Sequence, residues 1–550
     1  MCADSLQDLS LPTGTSDFER LVRGNQVYVD KTALIYDLLK NGQKYFLARP
    51  RRFGKTLLIS TLESLFQYGL RDFKGLAIEK LWKQDPAEAV LTLDFSKVKD
   101  FHDAAEFAEK FYSYLGRRLE QAGFLPDKST SGRGREAFDN WLVAQPVNST
   151  VILIDEYDAP LTECLDRPDL FQRVRSTLAE FYAALKSADR CMRFLFVTGI
   201  TKFTKASIFS ELNNLRDISL SPRYGTLLGY TEEEIRKYFP DHLRNASEVL
   251  GMDVPSLLEE IRKHYDGYCF DCRVSTHVFA PWSVLNFLAD PELGFLNYWF
   301  SSGGQPSVLK KYFRTHALRS PESMTEDKYV RLDQLVASSD FETLNDLVLL
   351  TQTGYLTIKR VERNSVYLGY PNLEVEDSMS QLYVTELLDG KPFAAVGADN
   401  IDRQLAVEKP EGIIHLFNRL LAATDYRFFN EIKEIDVQTI LFAYLAGSGL
   451  KPEVERHSSR GRSDLEVVSG GRVWIFEIKI QRKGESAEKK LEEALSQIIA
   501  RGYGEDHDSD KLEVIRLGIV FSTESRRIVK WGLAPSIFEP QQNNLPRLGE

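Results

Sequence analysis

The sequence predicts an α/β protein with two sheet-bearing domains: an N-terminal parallel sheet with flanking helices and a C-terminal α/β domain, joined by a helical, partly winged connector. Three observations carry that expectation. Aliphatic runs of strand length alternate with helical stretches over the first part of the chain. The first run passes through Gly54-Lys55-Thr56 directly into a helical pattern. Nearer the C-terminus, two apolar-rich runs flank Ser469-Gly470-Gly471, a turn signal for a β-hairpin.

The N-terminal elements follow in order. Tyr45-Phe46-Leu47-Ala48 reads as a strand and Leu57 to Phe66 as a helix, with Arg49-Pro50-Arg51-Arg52-Phe53-Gly54-Lys55-Thr56 between them. Strand, Gly-Lys-Thr and helix form the setting of a phosphate-binding loop (P-loop). Backbone N–H groups of Arg52, Phe53 and Gly54 would cradle phosphates, Lys55 would reach the terminal ones and Thr56 would hold Mg²⁺. The loop departs from G-x4-G-K-[ST], because Arg49 occupies the first glycine position. A basic loop that merely caps a helix is the plainer alternative. Val151-Ile152-Leu153-Ile154 is a continuous aliphatic run, as expected of a strand buried on both faces of a parallel sheet. Asp155 at its end would hold Mg²⁺ through water, and Glu156 would polarise an attacking water, the Walker B logic of an ATPase. Ala89 to Phe95 and Arg193 to Gly199 supply two further strands, and Thr198 ends the latter in a sensor-like position. Helices from about Ala104 to Ala122 and from about Leu170 to Ala188 complete a doubly wound pattern.

The C-terminal hairpin carries its own chemistry. Phe476 and Ile478 alternate with Glu477 and Lys479, so the two charged residues share one strand face. Asp464 can close onto that face from the other strand. Two carboxylates and a lysine at a sheet edge can hold a divalent cation and orient a water, although many amphipathic strands end in a mere solvated Glu-x-Lys pair. Asn430-Glu431-Ile432 opens a segment with Ile435, Val437, Ile440, Leu441, Tyr444 and Leu445 at helical spacing. Glu431 is then either a helix-start acid or a third metal-site carboxylate. Ser486 to Tyr503 reads as another amphipathic helix, with Gln497 beside its apolar stripe as an ordinary polar flank or a phosphate or base contact.

Asn-Glu, Gly-Arg-x-Asp, Glu-x-Lys and Ala-Leu-x-Gln-Ile, closing with Tyr503, resemble the PD-(D/E)XK nuclease superfamily over roughly the last quarter of the chain. Arg-Pro-Arg-Arg-Phe-Gly-Lys-Thr-Leu resembles the loop of an AAA-ATPase-like family that often precedes such a domain in bacterial proteins. Tyr28 to Thr32, Ser210 to Tyr224, Tyr265 to Tyr268 and Pro281 to Phe287 extend that resemblance over about residues 8 to 290. It implies ATP and Mg²⁺ as cofactors and a restriction-endonuclease-like C-terminal fold. Catalytic roles would fall to Asp464, Glu477, Lys479, Glu431, Gln497 and Glu156, with metal at Asp464 and Glu477 and at Thr56 and Asp155. Arg216 and Arg223 would contact a γ-phosphate in cis or from a neighbouring subunit, or else lie on the surface. A homo-oligomer is an open expectation, since AAA-type relatives often form rings.

Composition bounds these expectations. A chain of 550 residues with 43% apolar content suits several packed domains. The expected division is an AAA-ATPase-like domain over 1–290, a connector over 291–409 and a nuclease-like domain over 410–550. Neither a signal peptide nor a long apolar span is evident, which leads us to expect a soluble, cytoplasmic protein with no membrane partner. Five cysteines, unevenly placed, fit a reducing compartment. Cys269-x2-Cys272 with His264 and His277 is a weak zinc signal in a segment that reads as packing around Tyr265, Tyr268 and Phe270. A net charge of −11 argues against a chain coated in nucleic acid. Arg456, Arg460 and Arg462 could still supply a basic strip for DNA or RNA, and Arg526-Arg527 with Lys530 is a second basic stretch. The expected activity is a Mg²⁺-dependent nuclease controlled by ATP, with a role in defence against foreign nucleic acid. A nucleotide-switched signalling or binding module without cleavage is the alternative.

Overall fold

The computed structural model describes residues 9–123, 135–202, 212, 214–301, 309, 328–336, 345–388, 391–396, 398, 400–429, 432–458, 461–505, 507, 512–534 and 548–549. They divide into two compact units, the first running to Val375 and the second beginning at Glu376. The span 291–409 is therefore shared between them.

In the first unit, β1 (Lys44–Ala48), β2 (Ala89–Asp94), β3 (Thr150–Asp155), β4 (Met192–Gly199) and β5 (Arg216–Asp217) form one parallel sheet in the order β2-β3-β4-β1-β5. β1 and β3 are buried along their whole length, as their unbroken aliphatic runs require. Helices α1 (Thr32–Asn41), α2 (Lys55–Tyr68), α3 (Ala104–Gln121) and α4 (Pro168–Ser187) accompany the sheet. Leu58, Leu62, Leu65 and Phe66 of α2 pack with Tyr45, Leu47, Val151, Leu153 and Phe196 into one core. Because all five strands run the same way, Ala48, Asp155 and Gly199 end at one edge, where ligands bind in such sheets. The edge strand β5 lies in the Ser210–Tyr224 stretch and is too short to show a pattern.

The stretch after this sheet carries a three-stranded unit of β6 (Lys328–Arg331), β7 (Thr357–Glu362) and β8 (Ser365–Gly369) in the order β6-β8-β7. β7 and β8 form a hairpin around Arg363-Asn364, with Arg363 at φ +56°. Helix Asp346–Thr353 stops at Gly354, which takes a left-handed φ of +93°.

In the second unit, β9 (Glu453–Ser458), β10 (Gly461–Ser469), β11 (Arg472–Gln481), β12 (Glu513–Ser522), β13 (Arg527–Leu533) and β14 (Leu548–Gly549) form a mixed sheet in the order β14-β13-β12-β11-β10-β9. β10 and β11 are the expected antiparallel hairpin, whereas β11 and β12 run parallel. A parallel pair needs a crossover, and α7 (Ala487–Arg501) provides it through Leu491, Leu495 and Ile498. The other helices are α5 (Pro410–Ala423) and α6 (Glu434–Gly447). The apolar stripe expected for α6 is in fact a buried girdle: every residue from Val437 to Leu445 is buried, and Ile435 is exposed. A helix hidden on all sides has no polar face for periodicity to reveal. Among the described residues, no helix is long and apolar enough to cross a membrane.

Candidate active sites

The first site gathers at the C-terminal edge of the parallel sheet. Arg52 at φ +66° and Gly54 at φ +89° wind the loop tightly before α2. Lys55 is buried, and its ammonium donates to the carbonyls of Arg49 (3.0 Å) and Pro50 (2.9 Å). Burial draws its pKa down, against the pull of Asp155 and Glu156. Asp155 is the hub: Thr56 Oγ1 donates to Oδ2 at 2.6 Å and Thr198 Oγ1 to Oδ1 at 2.5 Å. Glu156 follows at φ +50° with its amide on Asp155 Oδ1, and burial pushes its carboxyl up. Asp158, which the sequence did not single out, accepts from Ile200 N, Thr201 N and Thr201 Oγ1, tying the turn after β3 to the end of β4.

Arg49 explains the loop's departure from the glycine pattern. Its side chain is 1% exposed and turns inward, donating to the carbonyls of Ala48 (2.9 Å), Ser219 (2.7 Å) and Tyr224 (3.3 Å). The guanidinium also lies 4.2 Å from the Phe270 ring centroid. A glycine there would leave three carbonyls to find other donors.

The second site lies on the β10–β11 hairpin. Leu465 pairs with Phe476, so Asp464 stands across from Glu477. Asp464 Oδ2 accepts the amide of Ile478 at 2.7 Å, and Lys479 Nζ lies 2.8 Å from Glu477 Oε1. Glu477 is wholly buried and, among the described residues, its Oε2 has no hydrogen-bond partner. Burial, and then the Asp464 charge, push its carboxyl up to about 7. Burial draws the Lys479 pKa down, but Glu477, Glu434 and Asp464 outweigh it and the net shift is upward. Gln497 Nε2 and Arg501 Nη1 each donate to Tyr503 Oη at 3.2 Å, and Arg501 exerts its charge on both carboxylates. A buried carboxylate oxygen without a donor, facing a second carboxylate, suits a divalent cation. Among the described residues, no group of three His, Cys, Asp or Glu side chains converges, so the donors are this pair.

Residues 12–209 match the family model of a predicted AAA-ATPase, and residues 432–531 match that of the PD-(D/E)XK nuclease superfamily. A protein described as "Uncharacterized protein in vnfD 5'region", from Azotobacter chroococcum mcd 1, is 30% identical over 533 residues, 94% of this chain and 98% of that one. The chain belongs to the same family. It joins an AAA-ATPase-like domain to a PD-(D/E)XK nuclease-superfamily domain.

In the AAA-ATPase-like domain, Gly54, Lys55, Thr56, Asp155, Glu156 and Thr198 come together at the sheet edge. Phe53 supplies packing, edge-on to Tyr268 (4.8 Å) and Phe270 (5.2 Å), and the Arg52 guanidinium lies 4.3 Å over the Trp282 ring. Arg216 and Arg223, read as γ-phosphate contacts or as surface residues, are both exposed. Arg223 is ion-paired with Asp37 of α1. Arg216 stands beside Tyr45 near the start of β1, because β5 runs parallel to it. The cysteines of the CxxC are free, with Cys269 buried and donating to its own turn at Asp271 O.

In the nuclease-superfamily domain, Asp464, Glu477, Lys479 and Gln497 converge with Tyr503. Glu431 lies outside the described residues, and so does Arg460. Of the two first-turn acids of α6, Glu434 and Asp436, it is Glu434 that reaches the hairpin: its Oε1 accepts from Ile480 N at 3.4 Å and its Oε2 stands 4.0 Å from Lys479 Nζ. Gln438, one turn on, donates to Asp464 O. Both were missed because the helix opens at Glu434 rather than at Asn430.

Proposed function

We propose that the protein binds and hydrolyses ATP in its first unit and uses that cycle to control a Mg²⁺-dependent nuclease in its second. The unpartnered Oε2 of Glu477, opposite Asp464 and beside Lys479, carries the nuclease half of this reading. Bound between Asp464 and Glu477, Mg²⁺ would supply charge neutralisation at the scissile phosphate. Lys479 orients the attacking water, and its contact with Glu477 fixes the ammonium for that role. Arg501 and Gln497, steadied by Tyr503, hold the substrate phosphate from α7.

In the first unit, Lys55 exchanges the Arg49 and Pro50 carbonyls for the terminal phosphates, Thr56 and Asp155 hold the cation, and Glu156 aligns the water. DNA or RNA is the substrate, and defence against foreign nucleic acid is the biological setting.

The test is cleavage of mixed DNA and RNA with Mg²⁺, with and without ATP, by wild type, Glu477→Ala and Lys55→Ala. Loss in Glu477→Ala, and an ATP effect that disappears in Lys55→Ala, is the expected result. ATP turnover without any cleavage would replace the nuclease by a nucleotide-switched binding module.

A further inference from the structure

The second unit holds a cleft of about 590 Å³ between α5 and the turn joining β12 to β13. Its floor is apolar, with Ile414 and Phe429, while His415, Arg526 and Arg527 line the rim against one acid, Glu411. Both arginines are exposed, and Arg526 places its guanidinium 5.6 Å from the Phe429 ring centroid. Phe429 is itself stacked on Phe521 of β12. Asn418 fixes the two walls to each other. Its amide oxygen accepts from Ile528 N at 2.7 Å and its amide nitrogen donates to Ile528 O at 3.1 Å.

The cleft opens at the sheet end that carries the nuclease site. Gln481 pairs with Ser522 and Ser522 with Arg527, so Arg527 is two strands across from the end of β11. Strand spacing and rise place it about 12 Å from Lys479. Lys530 of β13 is aligned with Val520 and through it with Lys479, and it pairs with Glu488 of α7 at 3.5 Å. In a chain of net charge −11 this is a local basic rim over an aromatic floor. Arginines fork onto phosphates and aromatic or aliphatic floors accept bases of any sequence, so the combination matches one nucleotide unit.

We propose that this cleft binds a nucleotide flanking the scissile phosphate, its phosphate between Arg526 and Arg527 and its base against Phe429 and Ile414. The proposal rests on the nuclease reading above and adds to it a strand-binding site outside the Asp464, Glu477 and Lys479 cluster.

The test is fluorescence anisotropy of a labelled single-stranded oligonucleotide with the full chain in EDTA, over a salt series. Cleavage is measured separately with Mg²⁺, and thermal melts establish that each variant folds. Arg526→Glu with Arg527→Glu should weaken binding about tenfold or more and reduce the salt slope by about 0.7, the share of the one phosphate that is no longer neutralised. Ala422→Trp, an exposed position on the cleft wall, should weaken binding with the slope unchanged. Arg403→Glu is exposed beside Asp402, which holds Ser469 at the other end of the sheet, and should do neither. Cleavage by wild type, with both cleft variants binding like it, overturns the cleft and leaves the nuclease standing. Binding lost in both variants, with no cleavage by wild type, overturns the nuclease and keeps the cleft as a strand-binding site. Equal loss in Arg403→Glu overturns the cleft in favour of diffuse charge.

Discussion

Thr56 and Asp155 meet at 2.6 Å across 99 residues of sequence, hydroxyl to carboxylate, at the shared edge of β1 and β3. The other oxygen of Asp155 is taken by Thr198 from β4. Two strands and the start of α2 thus fix one carboxylate.

Thr198→Val keeps the shape of this buried side chain and deletes the hydroxyl. Freed on that side, Asp155 should be aimed less well, and ATP turnover should fall about 10- to 100-fold, as for other residues that orient a metal-binding group. Phosphate release and nucleotide binding measure it. Unchanged turnover would mean that Thr56 alone orients Asp155.

Arg49→Gly restores the glycine of the general loop pattern and should nevertheless harm the protein. The variant loses three hydrogen bonds from a buried guanidinium and opens a void beside Phe270. A cost of about 3 kcal/mol or more is expected in urea unfolding. Arg49→Lys, with a point charge in place of a planar fork, should fall between the two. A glycine variant as stable as wild type would refute the structural role of the guanidinium.

Glu374, in helix Leu373–Leu387, is 1% exposed and accepts from Trp299 N at 2.6 Å and Ser283 Oγ at 2.7 Å. Burial pushes its carboxyl from 4.5 up to about 8. Between those values the folded protein holds a proton that the unfolded chain has released. Its stabilising contribution is full below the lower value and is lost as pH rises through the upper one. From about pH 5 to pH 8, wild type should lose stability relative to Glu374→Gln by at most about 1.4 kcal/mol per pH unit. Melts across this range check it, and parallel profiles would place the proton elsewhere.

Tyr503→Phe removes the hydroxyl shared by Gln497 and Arg501. Cleavage should drop about tenfold or more. Gln497→Ala should resemble it, and the double variant should be little worse than either, because the three side chains act as one network. Additive losses would show that Gln497 works independently of the tyrosine.

How far the sequence could be read depended on how local the signal was. β1, β3 and β4 announced themselves as aliphatic runs because burial on both faces leaves no room for polar residues. The hairpin around Gly470 showed its register, and with it the opposition of Asp464 and Glu477. The roles of Arg216 and Arg223 were not legible: an arginine's partner is chosen by tertiary packing, and Asp37 lies 186 residues from Arg223. Glu434 escaped because one turn separates it from Glu431, and an acid at either position suits a helix start. Arg49 looked like a defect in a motif because the carbonyls it serves, at Ser219 and Tyr224, come from a distant loop.

The Asn418 amide also shapes the edge of the second sheet. It gives Ile528 the one donor and one acceptor that a neighbouring strand would offer, while β14 pairs with β13 farther along at Trp531 and Gly532. That flank of the sheet therefore ends in a side chain instead of an open ladder. A second molecule would have to displace that side chain at Ile528 before zipping onto this edge, so Asn418 guards against edge-to-edge aggregation.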